Sequence, residues 1–343
     1  MNPWLSALAG DPDIEALLAD AAQLAAMLTV EVALAEASAD AGWISDDAAA
    51  AIKDALAAFV PDHALLAGGM RRDGVVVPAL LKQLRERVES AHRDALHKGA
   101  TSQDIIDTAL MLSLAKIFDL YEARLTGLLA EFDALSALAG ERPLMAHTRM
   151  QAALPTRWRA KIDNWSEPLR RHRQALSGMR RTLLVVQLGG PVGDRGSFEG
   201  RGDAIAAGMA RRLDLGTASP WQAARDPIVA LGSLLALISG SLGKFGADVA
   251  LLAQTEVGAL QLEGAGTSSA MAHKANPVAA EVLVSLARYN AGLSGVLGQA
   301  MVHEYERSGA AWTLEWLTLP PMLVTTGASL RLALRLLEQI RIA

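Results

Sequence analysis

The chain has 343 residues, of which 51% are hydrophobic but only 4% aromatic, and its formal net charge is −5. An acidic balance without a Lys/Arg block argues against a nucleic-acid binder, and the absence of cysteine excludes disulfides and thiol chemistry. Met1–Gly10 has neither a basic n-region nor a long apolar run, and no segment offers roughly 20 uninterrupted apolar residues, so a soluble, cytoplasmic protein without membrane contact is expected.

Apolar content dominated by Ala and Leu favours helix over sheet. Residues 12–41 carry Ile14, Leu17, Leu24, Leu28 and Val32 at helical spacing, with Asp11 or Asp13 as cap and Gly42 as stop. A second helix follows from Ser45, with Asp46 and Asp47 in its first turn. Pro61–Gly74 reads as a loop holding Arg71 and Arg72, and Pro78 opens a helix to about Ala91. Thr101 or Ser102 caps a long helical run over 102–139 that stops at Gly140. Residues 141–157 read as irregular and polar. A second long run ends at Leu188, before the break Gly189-Gly190-Pro191-Val192-Gly193. A short helix over 200–213 precedes a third long run over 221–262. The fourth runs from Pro277 to about Met301, and Pro320-Pro321 starts a last helix to Ala343. Helices this long, apolar on several faces, predict an all-α long-helix bundle shared between subunits. An N-terminal helical domain over 1–92 and a central bundle over 93–343 are expected.

The stretch 264–278 reads Gly-Ala-Gly-Thr-Ser-Ser-Ala-Met-Ala-His-Lys-Ala-Asn-Pro-Val. Between two long apolar segments it is a loop, with Asn276 as the expected N-cap and Pro277 in the first turn of the next helix. Loop amides and a positive helix end together suit an anion. Four further polar segments, 97–104, 147–157, 222–226 and 303–316, lie at helix ends. Each taken alone reads as capping or surface; helix ends of one bundle tend to cluster, which favours a common site.

Thr267-Ser268-Ser269-Ala270-Met271-Ala272-His273-Lys274-Ala275-Asn276-Pro277 resembles the signature loop of the fumarase/aspartase superfamily, with Thr267 in place of a Gly and Ala272 in place of a Pro. His97-x-Gly-x-Thr101-Ser102-Gln103-Asp104 is similar to its first substrate-binding segment, and Thr148-Arg149-Met150-Gln151 to its second. Gln222 with Arg225-Asp226 matches the adenylosuccinate-lyase-like branch. Arg307-Ser308-Gly309 and Leu314–Pro320 resemble the 3-carboxy-cis,cis-muconate cycloisomerase family within it.

The resemblance implies a fumarase/aspartase-type homotetramer around a helical core, active sites shared between subunits, and no C-terminal domain. It implies a carboxylate adding to a double bond of a small tricarboxylate, with proton transfer by Ser268, or Ser269 as the fallback. Lys274 and Asn276 would hold substrate carboxylates, and His97, Thr101, Ser102, Gln151, Arg225, His273, Arg307 and Ser308 would line the site. Many relatives have a His where Arg149 stands. His147, two residues earlier, is then a candidate acid/base, and Arg149 a bidentate clamp on the extra carboxylate. Neither a metal nor an organic cofactor is required. The alternatives are another superfamily lyase acting on an adenylosuccinate- or argininosuccinate-type adduct, and a non-catalytic structural relative.

Overall fold

Helix dominates the computed structural model, which describes residues 3–271 and 274–342. The N-terminal part holds α1 (Pro3–Ala9), α2 (Pro12–Leu18), α3 (Asp20–Asp40), α4 (Asp46–Ala57), α5 (His63–Asp73), α6 (Val77–Arg87) and a 3₁₀ turn at Ser90–Ala95. The run over 12–41 is two helices, because the chain turns extended at Ala19 (φ −65°, ψ 150°). Asp11 caps α2 by accepting the Ile14 amide at 3.2 Å, and Ser45 caps α4 by accepting Ala48 at 3.2 Å. The stretch expected as a loop over 61–74 is helix α5, capped by Asp62 on the Leu65 amide at 3.0 Å. Gly69 inside it reflects packing rather than a break: a Cβ there would meet the Ala79 Cβ of α6 at 2.3 Å.

The bundle follows: α7 (Ser102–Ala139), α8 (Trp158–Leu183), α9 (Gly202–Leu213), α10 (Asp226–Leu252), α11 (Val278–Gln299) and α12 (Gly309–Gln339). Residues 141–157, expected as irregular, form an antiparallel hairpin of β1 (Pro143–Thr148) and β2 (Gln151–Arg157). The third run breaks into α10 and a short strand β3 (Leu260–Leu262), which pairs with β4 (Ile340–Ile342) beyond the last helix. α12 does not begin at Pro320-Pro321. Ser308 caps it by accepting the Ala311 amide at 3.1 Å, and both prolines lie inside it.

One apolar cluster fills the space between α7, α8, α10, α11 and α12. Phe132 and Trp165 each meet Phe245 edge-on in it, with Trp165–Phe245 centroids at 5.1 Å. Asn290 of α11 donates to Ser239 of α10 at 3.1 Å and to Thr326 of α12 at 2.9 Å, so a buried polar thread fixes the register of three helices. A second cluster joins α3, α4, α6 and α9 to the start of α7. By length and mean hydropathy alone α3 (1.2) and α10 (1.7) are apolar enough to cross a membrane, but 50% and 56% of those windows are buried inside the structure, and Ser239, Lys244 and Asp248 interrupt α10, so no uninterrupted apolar run of the expected length is present in it. The apolarity of α10 follows from having α8, α11 and α12 around it. At 1.5 Å per residue, the 38 residues of α7 extend about 57 Å. That length separates the two ends of the bundle, and the candidate site residues fall at both.

Candidate active site

The first end gathers the starts of α7, α10 and α12. Asp104 closes the first turn of α7 by accepting the Thr101 amide at 3.0 Å, which makes Thr101 the N-cap and Ser102 the first helical residue. The same buried carboxylate accepts the amides of Gly189 and Gly190 and the Gln187 side chain. Burial pushes its carboxyl up to about 6, against those donors. Gln103, fully buried, donates to the Gln222 carbonyl at 2.9 Å and to Asp107 at 3.1 Å, and accepts from Arg307 Nε at 3.1 Å. Arg307 also reaches the Pro191 carbonyl at 3.3 Å. Gln103 thereby links the glycine-rich break, the 222–226 segment and the 303–316 segment.

Arg225 is 1% exposed and forks onto two carboxylates, Asp107 at 2.6 and 3.2 Å and Glu315 at 2.6 and 2.8 Å, with its guanidinium 4.8 Å over Trp221. Burial opposes its charge, but the two carboxylates outweigh burial and raise it further above its ordinary value. Arg225 therefore holds the chain's own acids rather than presenting an open fork to a ligand. Burial raises the Glu315 carboxyl, with Arg225 opposing. His303 lies beside this group, Nε2 3.6 Å from Glu315 Oε1, with its side chain closed to solvent. Burial and then Arg225 push its imidazole below the ordinary value. Ser308 spends its oxygen on capping α12 and is 4% exposed. Upstream, His97 is paired through Nδ1 with the buried carboxylate of Glu31 at 2.7 Å.

The second end carries the hairpin and the loop 264–278. Thr148 pairs with Gln151, so Arg149-Met150 is a two-residue turn. Both have positive φ, 49° and 66°, as a type I′ turn requires. Arg149 and His147 border a cleft of about 530 Å³ with Lys161, Asp248 and Gln254. His147 Nδ1 lies 3.1 Å from the Met145 carbonyl. In the loop, Gly266 and Asn276 exchange both backbone hydrogen bonds at 2.8 and 2.9 Å, which closes its base. Asn276 does not cap α11. Its side chain donates to the Thr267 carbonyl at 3.3 Å, because the backbone bridge with Gly266 places it before the cap, at Pro277. Ser268 Oγ accepts the amides of Ala270 at 3.3 Å and Met271 at 3.1 Å. Ser269 and Lys274 are exposed. His273 lies outside the described residues.

One chain therefore brings together Thr101, Ser102, Gln103, Gln222, Arg225, Arg307 and Ser308 at one end, and holds His147, Arg149, Gln151 and the Ser268 loop at the other. Sequence reasoning singled out neither Asp107 nor His303 nor Glu31. The available signal was a charged residue on an otherwise apolar helix face, as with Asp107 in Asp104-Ile105-Ile106-Asp107-Thr108-Ala109-Leu110.

A family profile described as Lyase matches residues 15–291. The chain is 37% identical over 288 residues to 3-carboxy-cis,cis-muconate cycloisomerase of Pseudomonas aeruginosa, covering 82% of this chain and 63% of that one. It is 34% identical to nitrosuccinate lyase of Streptomyces davaonensis, covering 97% of this chain and 73% of that one. Among solved structures, the 3-carboxy-cis,cis-muconate lactonizing enzyme of Pseudomonas putida superposes with a TM-score of 0.92 at 36% identity, over 100% of this chain and 78% of that one. The chain spans 61% to 64% of the length of the four cycloisomerase relatives.

Proposed function

The chain belongs to the lyase family, and from that membership we propose that it converts 3-carboxy-cis,cis-muconate to 4-carboxymuconolactone as an intramolecular lyase in protocatechuate breakdown. What carries the reading is the run of four relatives with that activity in their names, at 33% to 39% identity over most of this chain. In this reaction a substrate carboxylate oxygen adds to a double bond. The π pair moves toward a neighbouring carboxyl as an aci-carboxylate, and one proton is added at the α-carbon. Fixed cations and amides stabilise such charge best where water is excluded.

In this reading Ser268 transfers the proton, with Ser269 as the fallback. A serine does so only if its alkoxide is stabilised, and the Ala270 and Met271 amides already point at Ser268 Oγ. Lys274 and Asn276 hold substrate carboxylates from the same loop, and Arg149 takes the extra carboxylate by a two-pronged contact. Since Arg225 of the first group caps the start of α10 and the cleft at Arg149 lies against Leu251 and Leu252 at its end, the 27 residues of α10, about 40 Å, stand between the two groups, and a working site requires the second end of one copy to meet the first end of another. A homotetramer around the long helices, located in the cytoplasm, meets that requirement.

The experiment is to mix the purified full chain with 3-carboxy-cis,cis-muconate and follow the diene's ultraviolet absorbance. Rapid decay to the lactone, abolished in Ser268→Ala with assembly intact, is expected. No decay from a folded oligomer would overturn the reading. A second reading, elimination from a substituted succinate, is favoured by the 97% coverage of this chain by nitrosuccinate lyase. Release of fumarate from such a substrate would select it.

A further inference from the structure

Two unfavourable features converge on one hydrogen bond ahead of α7. Glu31, in the middle of α3, is 1% exposed, within the apolar cluster that contains Val30, Leu34, Leu96 and Ile105. Its Oε1 lies 2.7 Å from His97 Nδ1, and its Oε2 has no partner among the described residues. A carboxylate buried with a single partner is worse for stability than an aliphatic side chain of similar size. His97 itself has φ 60°, a strained region for a residue with a Cβ. Burial and strain together secure nothing except the orientation of one imidazole.

The backbone around that imidazole is pinned. Lys98 Nζ donates to the Trp43 carbonyl at 3.1 Å and sits 4.4 Å over its ring. Ser197 holds the Gly99 carbonyl at 2.6 Å. A Cβ on Gly99, at φ 75°, would meet the Trp43 ring at 2.5 Å. Lys98 is thus turned onto Trp43. His97 Nε2 makes no hydrogen bond among the described residues, and it is not one of the buried unpaired atoms. The side chain keeps 10% of its surface exposed, four residues before the Thr101 cap.

The geometry points to Glu31 as a positioning residue that holds His97 through Nδ1, leaving Nε2 as the site's second proton-carrying atom. The carboxylate accepts Nδ1–H and fixes that tautomer, so Nε2 is the ring atom left to take and give a proton. Its use in turnover rests on the lactonisation reading. There the substrate, a tricarboxylate, becomes a lactone with two carboxylates: one C–O bond forms, one C–H bond forms, and one proton is consumed. Ser268 gives that proton to carbon and is left as alkoxide. The His97 imidazolium returns a proton to it from Nε2 across the subunit boundary proposed above, and then regains one from water.

The test uses the full chain with ¹⁵N-labelled histidine, the His97 signal being the one missing in His97→Gln. The neutral form is expected to show the Nδ1–H tautomer, and Glu31→Leu is expected to shift it to the Nε2–H tautomer usual for a free histidine side chain. Turnover by Glu31→Leu should fall roughly 10- to 100-fold, and the Glu31→Leu/His97→Gln pair should be no slower than His97→Gln alone. An Nε2–H signal in the unmodified protein, or losses that multiply in the pair, would overturn the assignment. Should Glu31→Leu not fold, Glu31→Gln decides: its amide oxygen can still accept Nδ1–H, so turnover that follows the tautomer (both kept or both lost) supports the proposal, and unchanged turnover with the Nδ1–H tautomer lost overturns it. The tautomer measurement needs no substrate. A protein inactive on the muconate that still shows the Nδ1–H signal, lost in Glu31→Leu, sinks the lactonisation reading and keeps the positioning of His97.

Discussion

Asp104 Oδ1 accepts the Gly189 amide at 2.7 Å, and Oδ2 of the same carboxylate takes Gly190 at 3.0 Å, so one acid at the start of α7 holds the break after α8 in place. The Pro191 carbonyl in that break is in turn a contact of Arg307. Asp104→Asn replaces a carboxylate serving four N–H donors by an amide with one oxygen, and turns its NH₂ toward donors. The expected loss is about 2–4 kcal/mol at pH 7.5, read from the urea midpoint. Hydrogen exchange at Gly189 and Gly190 should rise with it. Unchanged exchange there would show that the break is held by other contacts.

Arg225 leads to a sharper expectation, because removing it strands two acids. In Arg225→Met the side-chain volume is nearly kept, but Asp107 and Glu315 remain buried without their cation. Breaking such a group by deleting one member costs about 3–5 kcal/mol, whereas replacing all members with apolar residues is close to neutral. Chemical denaturation should therefore find Arg225→Met far less stable than the triple variant Arg225→Met/Asp107→Leu/Glu315→Leu. Equal stabilities would contradict the burial described here.

The long helices were legible in the sequence because their ends follow local rules. Thr101 and Gly140 mark α7 by capping and termination, and its 38 residues match the expected run over 102–139. Legibility failed where a local signal was ambiguous. Pro320-Pro321 has the look of a first helical turn, yet Ser308 had already started α12. Gly68 and Gly69 hid α5, and Arg149-Met150 lacks the Asn-Gly pattern that announces a two-residue hairpin. Among site residues, the chemistry of Arg225 could not be read locally, since its acids lie 118 and 90 residues away in the chain. Only the folded arrangement shows that its charge is already spoken for.

His303 predicts a pH effect on stability. Burial and Arg225 lower its proton affinity in the fold, against Asp107 and Glu304, while in the unfolded chain it titrates near the ordinary value of 6.5. Between its lowered value and 6.5 the unfolded state binds more protons, so stability rises with pH there. The contribution is complete above 6.5 and is lost as pH falls through the lowered value. His303→Gln should flatten this part of the profile. The comparison is the melting temperature of both proteins between pH 7.5 and 5; parallel curves would mean that His303 is not the group responsible.

The hairpin tip allows turn strain and ligand contact to be told apart. Arg149 and Met150 both have positive φ, and Met150 is 76% exposed, so its side chain contributes little packing. Met150→Gly relieves the left-handed strain by about 1 kcal/mol, a local gain seen as slower hydrogen exchange across Thr148 and Gln151. Since the hairpin protrudes from the bundle, the global melting temperature should hardly move. Arg149→Gln leaves the turn geometry nearly unchanged but removes the planar fork proposed for the third carboxylate. A charged, two-pronged contact is worth about 1.5–3 kcal/mol, so KM should rise roughly 10- to 100-fold with a smaller change in kcat. Met150→Gly should leave KM within about twofold, because it retains the guanidinium. If both substitutions changed KM alike, the tip would be acting through its backbone shape. If neither did, the third carboxylate would have to be held elsewhere, with Lys274 and Arg307 the next cations to replace.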